Sequence, residues 1–225
     1  MPSAEQILSG ELKKRGFQKL SKTRHLLLKD DVIVGIFFEK PTYFLYIQFF
    51  ILPLFLPWKG RYTLDYGNRF NMLFEDVHTP IKEEGPEAIE WFCRTVLRHL
   101  DEDVLPFVDS ISRAENLCPY MEVILQSPNK LGRRHYLFAA PAWKRRLLMY
   151  GYSYLKQYRK AQEIAEEQLR YVNTESIYTE NVNEGIRSEC DQIIQWVSAG
   201  EYDKIEAMTE RNKNDNLALL EKKKK

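Results

Sequence analysis

This chain lacks an excess of charge of either sign. Its 33 lysines and arginines face 32 aspartates and glutamates, for a net charge of +1. A protein that coats nucleic acid usually carries a clearly basic face, so bulk charge gives no such footprint. Cysteine is scarce. Cys93, Cys118 and Cys190 are odd in number and far apart, which suggests neither a disulfide framework nor zinc-ligand spacing. The ten glycines are scattered, so there is no glycine-rich loop to cradle a phosphate, and no Gly-x-Ser-x-Gly elbow is present. No metal site, cofactor site or catalytic residue is therefore assigned. A hydrolase whose site assembles from distant residues stays open as a third reading. Met1 to Gly10 has no basic start followed by an apolar core. No secretory signal is predicted, and a cytoplasmic location is expected.

Long apolar runs are also few, and one dominates. Tyr43 to Trp58 reads YFLYIQFFILPLFLPW and contains no charged residue. It falls short of the roughly 20 residues a membrane helix needs. Pro53 and Pro57 would break a helix by removing donors and clashing with the preceding turn. Aromatic and β-branched residues suit a pleated, packed surface. The run reads as a long buried strand ending near Pro53 and continuing as an extended apolar segment.

Around it the chain falls into two parts. Ser3 and Gln6 form a capping-box pair. Ile7, Leu8 and Leu12 mark one helical face, and Lys13-Lys14-Arg15-Gly16 supplies a basic last turn and a left-handed cap. Strands are predicted over Phe17 to Leu28, Val32 to Phe38, the apolar run, and Arg61 to Tyr66, with Gly67-Asn68 as the closing turn. Short connections imply an antiparallel meander. From Pro86 the pattern is helical, with Ile89, Phe92, Val96 and Leu100 at helical spacing. Asp101-Glu102-Asp103 is expected to break that run and cap the next helix. The fold class is α+β: a small antiparallel sheet with an N-terminal helix (residues 1–80), then a mostly helical half (81–225) packed on it. The third strand is apolar on both faces, so its second face needs a cover as well.

Near the C-terminus, Tyr158 to Ala161 and Gly200 to Ile205 each place an aromatic at a turn between amphipathic helices. The first resembles a tetratricopeptide turn with a shorter loop. The spacing between the two exceeds the roughly 34 residues of that repeat, so the reading is helical hairpins and no solenoid. Lys222 to Lys225 reads as a solvated, disordered tail.

The order of elements carries a resemblance. The helix ending in Leu12-Lys13-Lys14-Arg15-Gly16-Phe17, then Val32 to Phe38, the aromatic strand and Tyr62 to Arg69 resemble the DUF4304-type bacterial proteins over about residues 5 to 100. Leu12 to Lys19 is the closest match, and Ile47-Gln48-Phe49-Phe50 departs from the family's polar strand centre. The resemblance implies a bacterial cytosolic protein, in some members accessory or immunity-like, with no established catalytic site.

The candidate binding residues are few. Asp65, Asn68 and Arg69 sit at a strand end, where polar side chains can form a binding surface. Arg133 and Arg134 form one basic cluster, and Lys144, Arg145 and Arg146 a second. Arginines beside aromatics can hold phosphates and stack bases, but they equally form structural ion pairs. Glu75-Asp76-Val77-His78 reads as a loop, since four consecutive residues rarely converge on a metal. Arg98 to Asp103 reads as a helix end. The expected function is binding to another protein by steric occlusion. A nucleic-acid-associated factor is the runner-up.

Overall fold

The computed structural model describes residues 2–40, 45–57, 66–78, 85–126, 136–137, 139–176 and 178–221. Helix α1 (Ala4–Lys14) is capped as expected. Ser3 Oγ accepts from the Gln6 amide, and Gln6 Oε1 accepts from the Ser3 amide. Gly16 ends it at φ +85°, a conformation that favours glycine. The sheet that follows is β1 (Gln18–Lys19), β2 (Arg24–Lys29), β3 (Val32–Glu39), β4 (Tyr46–Pro53) and β5 (Gly67–Arg69), antiparallel in sequence order.

Two strand expectations are corrected. Phe17 to Leu28 is no single strand: the backbone turns at Ser21-Lys22-Thr23, where Ser21 Oγ accepts from the Thr23 amide. Serine favours such turns by binding backbone two residues on. Gly67 and Asn68 do not close the sheet as a turn but belong to its last strand. Gly67 is needed for close approach, since a Cβ there would lie 2.1 Å from the Phe49 carbonyl oxygen. The Arg61 to Tyr66 strand, save Tyr66, lies outside the described residues, as does the 222–225 tail.

The register puts Leu26, Gly35, Phe50 and Gly67 side by side on one face. The Phe50 ring lies across Gly35, where a Cβ would come within 2.0 Å of it. On the opposite face, Val34, Ile36, Phe38, Ile47, Phe49 and Ile51 join the main core. That core runs from Ala4 to Met208, so the two halves of the chain share it. His25 lies on this face against the Phe38 ring, 1% exposed, with no partner for either ring nitrogen among the described residues.

Helix α2 (Phe70–Leu73) leads on to α3 (Pro86–His99). Asp101 to Asp103 do not break the run, contrary to the expectation from sequence. The chain widens into a π-helical turn over Leu100–Val104 and passes directly into α4 (Leu105–Ile111). The Leu105 amide bonds to the Leu100 carbonyl across the widened turn, and Pro106, which has no amide to donate, sits at the start of α4. Asp101 is held by a two-pronged contact from Arg15 at 2.7 and 2.6 Å.

Helix α5 (Ala114–Gln126) precedes two helical hairpins: α6 (Pro141–Tyr154) with α7 (Tyr158–Thr174), and α8 (Glu180–Ser198) with α9 (Tyr202–Glu221). Their corners meet. The Tyr158 and Tyr202 rings stack at 4.3 Å, and Glu206 accepts from both Tyr158 and Lys156.

Helix α9 also supplies the cover that β4 requires. Leu217 and Leu220 complete a second small core with Leu26, Ile33, Phe50 and Leu54. Asn216 Nδ2 donates to the Leu54 and Leu56 carbonyls, both at 2.8 Å, and Asn212 donates to Phe55 at 3.0 Å. The carbonyls of the apolar run after β4 are thereby held by side chains of a helix some 160 residues away. No helix among the described residues is long and apolar enough to cross a membrane.

Removing the Asn216 amide strands buried carbonyls, each costing about 1–3 kcal/mol. Asn216→Ala should therefore lower stability by roughly 2–4 kcal/mol in urea unfolding, while Asn214→Ala, on an exposed face, should change little. A second expectation concerns pH. Burial pulls the His25 pKa from 6.5 down to about 4. The folded state disfavours the protonated ring, so stability is full above pH 6.5 and falls as pH drops towards 4. The loss is roughly 3 kcal/mol at 1.36 kcal/mol per unit. His25→Phe should remove that fall, as read by denaturation midpoints at pH 7 and 4.5.

Candidate functional site

The sequence-derived candidates separate in space. Asp65, Arg133 and Arg134 lie outside the described residues. Asn68 faces the main core side of β5, and its Oδ1 accepts from the Arg69 amide at 2.9 Å. Arg69 points to the other face. Its guanidinium lies 4.7 Å over the Tyr46 ring and reaches across β4 to Glu39 at 2.7 Å. Asn68 and Arg69 therefore do not present a joint surface, because successive strand residues project to opposite faces.

Lys144, Arg145 and Arg146 diverge for the helical version of the same reason: each residue turns about 100° from the last. Lys144 is 6% exposed and donates to the Ile124 carbonyl at 3.1 Å. Burial, reinforced by the Arg145 charge, lowers its pKa. Arg146 makes a two-pronged pair with Glu189 of α8 at 2.6 and 2.9 Å, over the Trp143 and Tyr150 rings. Burial alone would lower the Arg146 pKa, but the Glu189 carboxylate outweighs it and drives it upward. These two cations tie α6 to α5 and to α8.

Arg145 is different. Its guanidinium lies 4.7 Å over the Tyr171 ring of α7. Nε and Nη1 are shielded from solvent and meet no acceptor among the described residues. It lines a cleft of about 480 Å³ between α5, α6 and α7. Leu125, Leu148 and Ile164 supply apolar walls, with Glu122, Gln126, Lys160, Glu163 and Glu167 as polar lining. At the other end, Lys160 binds Glu122 at 2.7 Å and the Tyr152 hydroxyl at 2.8 Å.

A second cluster joins two stretches that read separately in the sequence. His99 Nδ1 meets Asp103 Oδ2, and Nε2 meets Asp76 Oδ1, both at 2.7 Å. The Phe74 ring stacks on the imidazole at 3.8 Å, and Arg98 also binds Asp76. The imidazole bridges the two carboxylates, so the cluster acts here as a clamp between residues 74–76, α3 and the π-helical turn. His78 is directed elsewhere, towards the Trp91 ring. Among the described residues no three metal-ligating side chains converge. The His99–Asp103 contact spans four helical residues and is legible from sequence, whereas Asp76 arrives from 23 residues away.

Burial raises the Asp76 pKa, but the hydrogen bonds from His99 and Arg98 prevail and lower it below 3.8. Its contribution to stability is present above that value and fades as pH falls through the folded-state pKa. Asp76→Asn should flatten the acid limb of a thermal-stability profile below about pH 4. It should also release the 74–78 segment, read as faster amide exchange there.

Family models, curated proteins and solved structures give no match to the chain, so its site is read from geometry alone.

Proposed function

We propose that this protein acts by binding another protein and occluding its working surface, as an accessory or immunity-like factor of the bacterial cytoplasm. The bacterial and cytoplasmic parts come from the DUF4304-type resemblance around Leu12 to Lys19. Three buried, unpaired cysteines are compatible with a reducing compartment.

The observation that carries the binding reading is the groove between α1 and α3, of about 430 Å³. Its floor is apolar: Ile7, Cys93 and Leu97. Its rim carries both signs of charge: Arg15, Arg94 and Arg98 beside Glu90, Asp101 and Glu102. An apolar centre inside a polar rim is the usual anatomy of a protein interface. Trp91, three residues before Arg94, is 42% exposed and is of the type that anchors such contacts. The partner that fits is a protein surface with an apolar ridge flanked by charges of both signs. The nucleic-acid reading loses weight because Lys144 and Arg146 direct their charges inward.

The test is capture of partners by the tagged full chain from its host, with and without nuclease, alongside Arg94→Glu. The expected result is one stoichiometric protein that survives nuclease and is retained about tenfold less by the variant, as for loss of roughly 1.4 kcal/mol. A partner that disappears with nuclease, or that Arg94→Glu retains equally, overturns the proposal.

A further inference from the structure

The groove between α1 and α3 is walled by helices whose backbone groups are bonded within their own turns. It offers a partner side chains and no free backbone. An extended segment laid in it would have its inward amides and carbonyls desolvated without partners, whereas a helix satisfies those groups internally. The lining runs along α3 and the π-helical turn from Glu90 to Glu102. That is about 18 Å at 1.5 Å per residue, or roughly three turns of helix. Ile7 and Leu97, both half-buried, leave apolar surface along it.

The charges on the rim divide into two sets. Arg15 is bound to Asp101, and Arg98 to Asp76. Glu90, Arg94 and Glu102 are exposed and have no hydrogen bond or ion pair among the described residues. Glu90 and Arg94 stand four residues apart, the spacing of a favourable helical pair, yet no ion pair joins them. The open charges therefore read minus, plus, minus, separated by one turn and then by two. A second copy packed antiparallel on the centre of this face would set Glu90 against Glu102 and Arg94 against Arg98, like charge against like. A helix carrying plus, minus, plus at the same unequal spacing meets every open charge. We infer that the occupant of this groove is an amphipathic helix of a different protein, with its apolar strip on Ile7 and Leu97, a carboxylate on Arg94 and a basic side chain on each of Glu90 and Glu102. The inference rests on the protein-binding reading of the groove and names the shape and charge order of the partner.

The test pans the tagged full chain against a pair of displayed peptide libraries, each about 15 residues long to cover the groove. Both carry leucine on one helical strip and lysine, glutamate or glutamine elsewhere. The second has proline at its centre, which breaks the helix. The expected result is enrichment from the first library alone, of peptides with an acid flanked by bases one turn away on one side and two turns away on the other. Arg94→Glu should weaken a selected peptide at least about tenfold, and exchanging the peptide's acid for lysine should restore it. Enrichment from neither library, or equally from both, overturns the inference. So does binding indifferent to Arg94→Glu, or a self-association seen by sedimentation that Arg94→Glu abolishes. A captured, nuclease-resistant protein that depends on Arg94 while no helical peptide enriches would remove the helix and keep the proposed function. Helical peptides that enrich while no protein is captured would do the reverse.

Discussion

Strand β4 has apolar side chains on both faces, and neither face can be left to water. Phe49 and Ile51 enter the main core, while Phe50 turns the other way against Leu26 and Ile33. The second face is closed by the last turns of α9, the element furthest from β4 along the chain. Leucines alone would cover the sheet loosely. Asn212 and Asn216 fix the contact by binding the carbonyls of residues 54 to 56, groups that would otherwise be buried without donors. The sheet and the C-terminal helix are therefore one cooperative arrangement, and the helices between them are held to the distance that arrangement allows.

Polar groups follow the same logic at other positions. Arg15 to Asp101 ties α1 to the π-helical turn, His99 ties that turn to residues 74–76, and Arg146 ties α6 to α8. Tyr154 donates to Asp31 in the β2–β3 turn, and Lys213 of α9 donates to Tyr154 in turn. Each of these joins elements distant in sequence. Against this background Arg145 stands apart: it occupies the same kind of position without the acceptor its neighbours have.

Much of the fold was legible because it follows from local rules. The Ser3–Gln6 box, the glycine stop at Gly16, the proline start at Pro86 and the end of β4 at Pro53 each depend on a few neighbouring residues. The apolar run demanded two-sided burial whatever covered it. The errors arose where packing overrode local preference. Gly67 looked like a turn residue, yet its role is to let β5 approach Phe49. Asp101 to Asp103 looked like a helix break, yet Arg15 and His99 hold two of those acids within a continuous, widened helix.

The sequence by itself determined the α+β class, the antiparallel order and the obligation to bury Tyr46 to Pro53, because backbone geometry and side-chain periodicity act over a few residues. Only the tertiary structure decided which charges are internal and which face a cleft. Lys144, Arg145 and Arg146 are adjacent and chemically alike, and a helix sends them in three directions. Their acceptors, Ile124 and Glu189, come from α5 and α8, so no reading of the triplet alone could tell which guanidinium would be left without one.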